Sequence, residues 1–348
     1  MANLSGHDSH GIGMLPRYVD AVLEGGLVPN AAVATQVDIG SMLTLNGQRG
    51  FGQVVGTQAM ALGMARAKTH GSCIMALSNA HHLGRIGHFA ETAVAQGLVS
   101  IHFVNVLSRP VVAPWGGSDG RFGTNPFCVG IPMAGRDRER SDGPPLASSA
   151  PFSSERGSAP KAREATSGEA HFILDFATSV VAHGKMRVAH NQGQQVKPGL
   201  LIDEQGKPTT NPAVVVVPQP GGLMGALMTF GEHKGYGMAV ACELMGGALT
   251  GGGTWRGPDS GKRAVINGML TVLIDPAKLG TQAAFDKEAA AFIDWVKQSP
   301  AASGFDAVQM SGDAERLARI EREANGIEVD EQTWQEIVAA GGKVGVRL

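Results

Sequence analysis

Apolar and polar positions alternate along VATQVDIGSMLTLNGQRG, a period of two that predicts a hairpin, with its turn expected at Asn46–Gly47. The period then lengthens. From Phe51 to His70, Val54, Val55, Ala59, Met60, Leu62, Met64 and Ala67 recur at helical spacing before Gly71, which predicts a helix with a glycine stop. Short apolar runs at Cys73–Leu77, Leu98–Val106, His171–Leu174 and Met269–Asp275 read as buried strands. Helical spacing returns at Phe89–Gln96, at about Gly235–Leu249, and in the tail at Ala283–Gln298, Asp313–Asn325 and Asp330–Ala340. Near the start, Pro16 suits the first turn of a short helix that Gly25–Gly26 ends. The stretch APWGGSDGRFGTNPFCVGIP reads as a Pro/Gly-rich loop. Strands and helices in mixed order, without a regular βαβ rhythm, predict an α/β fold with a helical accessory region.

One segment breaks the pattern. From about Met133 to Ala170 the chain turns to Arg, Ser, Pro, Gly and Glu. Burial there cannot offset the entropy of ordering, so a mobile insertion is expected at about 133–170.

Composition narrows the partners. A net charge of −2 on 348 residues, 17% of them charged and with no basic stripe, argues against nucleic acid or a membrane surface and for a small-molecule client. Cys73, Cys128 and Cys242 sit in apolar or Gly-rich sequence without CxxC pairing, as packed, reduced thiols do in the cytoplasm. No apolar run is long enough to span a bilayer, and MANLSGHDSHG lacks the basic and apolar regions of a signal peptide. A cytoplasmic location is expected.

The candidate chemistry centres on SNAHHLGRIGH, Ser78 to His88, at the C-terminal end of a predicted strand, where open α/β sheets place ligands. His82 is the expected acid/base group, because imidazole titrates near neutrality. A metal is not expected. His81 and His82 are adjacent and cannot chelate one ion as an i, i+4 pair does, and HExxH is absent. The polar cluster GHDSHG precedes a helix, where backbone N–H groups favour an anion; the plainer reading makes Asp8 and Ser9 turn caps. Lys234 in EHKGYG suits a Schiff-base nucleophile less than a phosphate or ribose ligand, since His233–Lys234 stand at a helix N-terminus. RGFGQVVG spaces its glycines as GxGxxxG, with no acidic residue at the expected distance, so a Rossmann domain is disfavoured.

Several motifs together carry a resemblance. SHG with a downstream tyrosine (Ser9, His10, Gly11, Tyr18), NAHHLGRIG, RFGTNP, LDFATS followed by Gly184–Lys185, GKPTTNP and EHKGYG occur in an order that resembles the malate/L-lactate dehydrogenase type 2 family. The likeness has the look of its bacterial hydroxycarboxylate dehydrogenase B branch. Ureidoglycolate, sulfolactate and diketogulonate oxidoreductases and a cyclic-imine reductase belong to that family. The resemblance implies NAD- or NADP-dependent interconversion of 2-oxo and 2-hydroxy acids on a non-Rossmann fold, in a homodimer. It makes 1–38 with 276–348 a helical, substrate-side domain and 39–275 the NAD(P)-binding domain.

By motif, His82 matches the family's acid/base histidine, and His10, with Ser9 beside it, the SHG histidine, assigned to proton donation or to the cofactor side. Asp175, Phe176, Ala177, Thr178 and Ser179 are expected along the cofactor. Gly84, Asn105, Thr124, Asn125, Pro126, Lys185, His233, Lys234, Gly235 and Asn267 complete that surface.

Two departures stand out. Many relatives carry an arginine four positions after the SHG histidine to clamp the substrate carboxylate, whereas here Met14 occupies that place, and a thioether cannot pair with a carboxylate. Arg85 is the expected replacement, with Arg121 in reserve and Tyr18 beside the substrate. Met14 is then expected to line an apolar pocket favouring bulky or aromatic 2-oxo acids. Relatives also carry a helix before the SHG motif, whereas this sequence opens a few residues ahead of it: either the helix is dispensable or the sequence is short. The rival expectations are a cyclic-imine reductase and a catalytically silent dinucleotide-binding protein.

Overall fold

The computed structural model describes residues 1–133, 171–220, 222–256 and 264–347. The insertion expected at about 133–170 lies, from 134 on, outside the described residues.

Seven strands form the main sheet, in the order β1 (Ala34–Ile39), β2 (Met42–Asn46), β3 (Ser72–His81), β10 (Ile266–Ile274), β4 (Val99–Leu107), β5 (Phe127–Ile131) and β6 (Phe172–Phe176). Only β2 and β3 run parallel; every other neighbouring pair is antiparallel. The central strand, β10, comes from late in the chain. A second sheet of three short strands, in the order β8 (Pro208–Thr209), β7 (Leu201–Ile202), β9 (Ala226–Leu227), has its own apolar cluster around Val112, Phe122, Met186, Leu201, Val215 and Leu227.

The expected hairpin exists, but its turn is elsewhere. Ile39 pairs with Met42, so the two-residue loop is Gly40–Ser41, with Gly40 at φ +64°, the left-handed conformation that glycine adopts without a Cβ clash. Asn46–Gly47 marks the end of β2 instead. The loop read at 113–132 likewise hides β5, whose five residues alternate in burial between β4 and β6.

Helices α2 (Gly52–His70) and α3 (Gly87–Val94) cover one face of the main sheet, where Met60, Met75, Leu77, Phe89 and Leu273 are wholly buried. Burying each such side chain contributes about 1.5–3 kcal/mol. Helix α1 (Leu15–Leu23), with Pro16 in its first turn, packs against α9 (Glu331–Lys343). The chain also forms α4 (His183–Asn191), α5 (Ala213–Val216), α6 (His233–Cys242), α7 (Gln282–Lys297) and α8 (Asp313–Asn325). Helix α6 continues as a π-helical stretch, Glu243–Ala248. The expected domain boundary at 38/39 falls inside β1. Among the described residues no helix is long and apolar enough to cross a membrane.

Candidate active site

Two histidines 72 positions apart meet at the end of β3. His81 closes the strand and His82 follows it, directly against the start of α2. A Cβ on Gly52 would lie 2.2 Å from the carbonyl oxygens of both histidines, so the missing side chain is what lets helix and strand end approach. His10 closes a short 3-10 turn, Asp8–His10, on the other side. Its Nδ1 lies 3.1 Å from His82 Nε2, and the two rings stack with centroids 5.2 Å apart.

Behind this pair stands a donor chain. Gln53 Nε2 donates to the Tyr18 hydroxyl at 2.7 Å, and that hydroxyl lies 2.7 Å from His82 Nδ1. The phenol stays protonated, since burial pushes its pKa up to about 12. With the amide donating inward, the phenol donates to Nδ1, and neutral His82 then carries its hydrogen on Nε2, donating to His10 Nδ1. His10 Nε2 has no hydrogen-bond partner among the described residues. The chain Gln53, Tyr18, His82, His10 is closed at one end and open at the other.

Both rings rest neutral. Burial, then the charges of His10, His81 and Arg17, push His82 down to about 3, and burial followed by the His7 charge pushes His10 down to about 4. His82 is only 8% exposed, whereas His10 is half-buried. His81 is buried beside them, and neither of its ring nitrogens has a partner among the described residues.

Arg85 requires a correction. Its guanidinium is buried, donating to Glu91 Oε1 at 2.8 Å and more weakly to Ser5 Oγ at 3.4 Å, with Asp175 Oδ2 at 3.9 Å. Arg319 from α8 donates to the same Glu91 and Ser5 oxygens. Asp175 in turn accepts from the Gly87 N–H at 2.7 Å. Arg85 therefore ties the loop after His82 to α3, β6 and α8, and its charge is answered within the protein. Arg121, the reserve, is exposed and paired with Asp119 at 2.8 Å. Met14, expected to line a pocket, is packed with Tyr18, Ala21 and Leu27.

The residues expected on the cofactor side divide in two. Several have side chains turned inward. Asn105 accepts from Gly268 N and donates to Gly253 O; Asn267 accepts from Leu83 N and donates to Asn105 O. Asn125 donates to Glu243 Oε2 and accepts from Val106 N, and the Thr178 hydroxyl donates to the carbonyls of Thr124 and Asn125. Ser179 donates to Val181 O. Others stay accessible: Lys185 in the first turn of α4, and His233 and Lys234 in the first turn of α6, are exposed. Phe176 is half-buried against Phe127 and Phe230, with Ala177 and Pro126 also half-buried nearby in the chain. Gly84 turns the loop after His82, and Gly235 is buried against Phe230.

Backbone strain gathers in these motifs. Asn79, Asn125 and Glu232 are three of the six described non-glycine residues with positive φ. Such conformations persist only where the surroundings fix them. Sequence reasoning missed Gln53, which the helical pattern gave only as a spacer, and Arg17. The available signal for Arg17 was its place directly before Tyr18, three residues after Met14 on the same first helix. Among the described residues no group of three or more His, Cys, Asp or Glu could hold a metal ion.

The malate/L-lactate dehydrogenase family profile matches residues 1–141 and 156–338. Hydroxycarboxylate dehydrogenase B of Escherichia coli K12 is 43% identical over 351 residues, covering 99% of this chain and 85% of that protein. An L-lactate dehydrogenase of Cupriavidus necator is 35% identical over 338 residues, covering 95% and 85%. Among solved structures, a candidate malate/lactate dehydrogenase from E. coli superposes with TM-score 0.84 at 43% identity, covering 99% of this chain and 86% of that one. The Δ1-piperideine-2-carboxylate reductase of Pseudomonas syringae pv. tomato superposes with TM-score 0.76 at 26% identity, covering 97% and 89%.

Proposed function

Because this chain belongs to the malate/L-lactate dehydrogenase family, whose enzymes act on CH–OH groups, we propose that it interconverts 2-oxo and 2-hydroxy acids with NAD or NADP. One observation carries this reading: the Gln53–Tyr18–His82–His10 chain, neutral and open only at its outer end. In these tautomers neutral His10 presents Nε2–H, a donor to a substrate carbonyl oxygen. Taking up the hydroxyl proton when the alcohol is oxidised uses the reversed pair, with His10 Nδ1–H donating to His82 Nε2 and His82 Nδ1–H to the phenol oxygen, which leaves His10 Nε2 free to accept. For reduction, the negative charge of a bound 2-oxo acid raises both imidazole pKa values and loads the proton that the carbonyl oxygen will need.

When bound, the reduced nicotinamide supplies the hydride to the carbonyl carbon. The chain's own groups fit such a cofactor. Exposed Lys185, His233 and Lys234 stand at helix N-termini, where cation and dipole together suit its phosphates. The backbone from Phe176 to Ser179 lies at the end of β6 for the remainder. In this reading Tyr18 and Gln53 hold the His82 ring in place, the phenol donating to or accepting from Nδ1, while half-buried His10 meets the substrate oxygen. We also propose a cytoplasmic homodimer, checked by light scattering on the purified protein.

The test is turnover of a panel of 2-oxo acids with NADH and with NADPH, with His82→Ala as control. Acid/base contributions of this kind are worth about a hundredfold to ten-thousandfold in rate, so the variant should lose at least that much. Unchanged turnover in the variant would remove His82 from the mechanism. Tight NADPH binding with no turnover of any oxo acid would mark a silent dinucleotide-binding protein. The likeness to a cyclic-imine reductase gives a rival substrate, separated by oxidation of 2-hydroxy acids, which an imine reductase does not perform. Met14 is buried with Tyr18, Ala21 and Leu27, and phenylpyruvate in the panel tests the expected preference for bulky or aromatic side chains.

A further inference from the structure

With Met14 apolar and Arg85 neutralised inside the protein, the site still lacks a cation for the substrate carboxylate. Arg17 supplies one. It stands in α1 directly before Tyr18, whose hydroxyl is held on His82, and its charge is felt at both His82 and His183. Its side chain is exposed and has no hydrogen bond or ion pair among the described residues.

Two more guanidinium groups converge on the same region from distant parts of the chain. Arg109, just after β4, places Nη2 3.2 Å from His183 Nε2 and donates to Val215 O at 2.7 Å. Arg187 lies one turn along α4 from His183. The start of α4 is pressed against the SHG motif: a Cβ on Gly184 would sit 3.1 Å from Ser9 Cβ. Partial desolvation, then the charges of Arg187 and Arg109, hold the pKa of Arg17 below the usual arginine range, with the charge of Glu336 opposing them. Like charges gathered with no carboxylate in ion-pair distance among the described residues repel one another, and an anionic ligand turns that repulsion into affinity.

We propose that Arg17 binds the 1-carboxylate of the substrate and that Arg109 and Arg187 receive a second acid group, making the substrate a 2-oxo dicarboxylate. This rests on the 2-oxo acid reading above. A single carboxylate would leave two of the three cations unanswered. The carbonyl carbon and the 1-carboxylate are adjacent atoms, so a residue next to Tyr18 can hold one while the His10–His82 pair serves the other.

Binding separates this proposal from turnover. 2-Oxoglutarate, pyruvate and phenylpyruvate are titrated by calorimetry into the wild type, Arg17→Ala, Arg17→Lys and Arg187→Ala, with NADPH affinity and thermal midpoint measured alongside. The wild type should bind 2-oxoglutarate at least tenfold more tightly than either monocarboxylate. Loss of a charged hydrogen bond in Arg17→Ala should weaken all three by about 10- to 100-fold, with partial recovery in Arg17→Lys and unchanged NADPH affinity. Arg187→Ala should weaken 2-oxoglutarate alone. Equal wild-type affinity for the three acids overturns the dicarboxylate assignment. A loss in Arg17→Ala that falls on NADPH instead overturns the substrate role and makes the cluster a cofactor-phosphate site. If 2-oxoglutarate binds as expected but no oxo acid is turned over, the reductase reading fails while the anion site stands.

Discussion

The loop from His81 to Gly87 carries two buried polar assemblies of opposite character. On one side, Gln53, Tyr18, His82 and His10 form a neutral chain with a free outer end. On the other, Arg85, Glu91, Asp175, Ser5 and Arg319 form a charged cluster whose members answer one another. The first has unspent hydrogen-bonding capacity and can act on a visitor. The second holds that first assembly in place. A titratable side chain beside a catalytic one is thus no guide to function until its partners are known.

The contrast can be broken most forcefully at His82. His82→Ala should cost two to four orders of magnitude in kcat/KM, while circular dichroism shows the fold retained. Next is the charged side. Arg85→Ala leaves Glu91 and Asp175 buried without their main cation, which should destabilise the protein by about 3–5 kcal/mol in urea unfolding. Normal stability with a raised KM for the oxo acid would restore Arg85 as the carboxylate anchor.

Tyr18→Phe strips the hydrogen bond from His82 Nδ1 and frees the ring. A drop in kcat of about fivefold, matching one hydrogen bond of roughly 1 kcal/mol, is expected, and an unchanged kcat would detach the phenol from catalysis.

The mildest test is acid. His82 and the fully buried His102 are both held down to about 3, against 6.5 for an unperturbed imidazole. The unfolded chain therefore binds protons there that the folded chain does not. Stability is fully present above pH 6.5 and falls as pH drops, by about 1.4 kcal/mol per pH unit for each such histidine. Glu91 is held below its usual 4.5, against the effect of burial, by its hydrogen bond with Arg85 and then by the Arg85 and Arg319 charges. Its contribution is thus lost only below that value. A thermal midpoint that stays flat from pH 6.5 to 5 would show that the histidines titrate normally.

Much of this architecture was legible from periodicity. The long helix, the strand leading into the histidines and the three C-terminal helices lie within a few residues of expectation. Local signals failed where tertiary pairing decides. The Gly40–Ser41 turn carries a weaker dipeptide signal than Asn46–Gly47, yet the register of β1 on β2 selects it. Strand β5 is short and flanked by Pro and Gly, so only its two neighbours make it a strand. His10 and His82, named separately by their motifs, come together in the fold. Side-chain direction was invisible to the motifs: Asn105, Asn125, Thr178 and Asn267 turn inward to bond the backbone. Arg17 was passed over because its meaning depends on Arg109 and Arg187, which only the folded chain brings near.

The position of β10 bears on how the protein is made. It separates β3 from β4, yet 158 residues lie between Leu107 and Ile266. At a synthesis rate of ~5–20 residues per second, the nascent chain holds two strand edges unpaired for roughly 8–30 s before the partner of both emerges. Exposed edges are templates for pairing with other chains, so newly made protein carries that liability until β10 has left the ribosome.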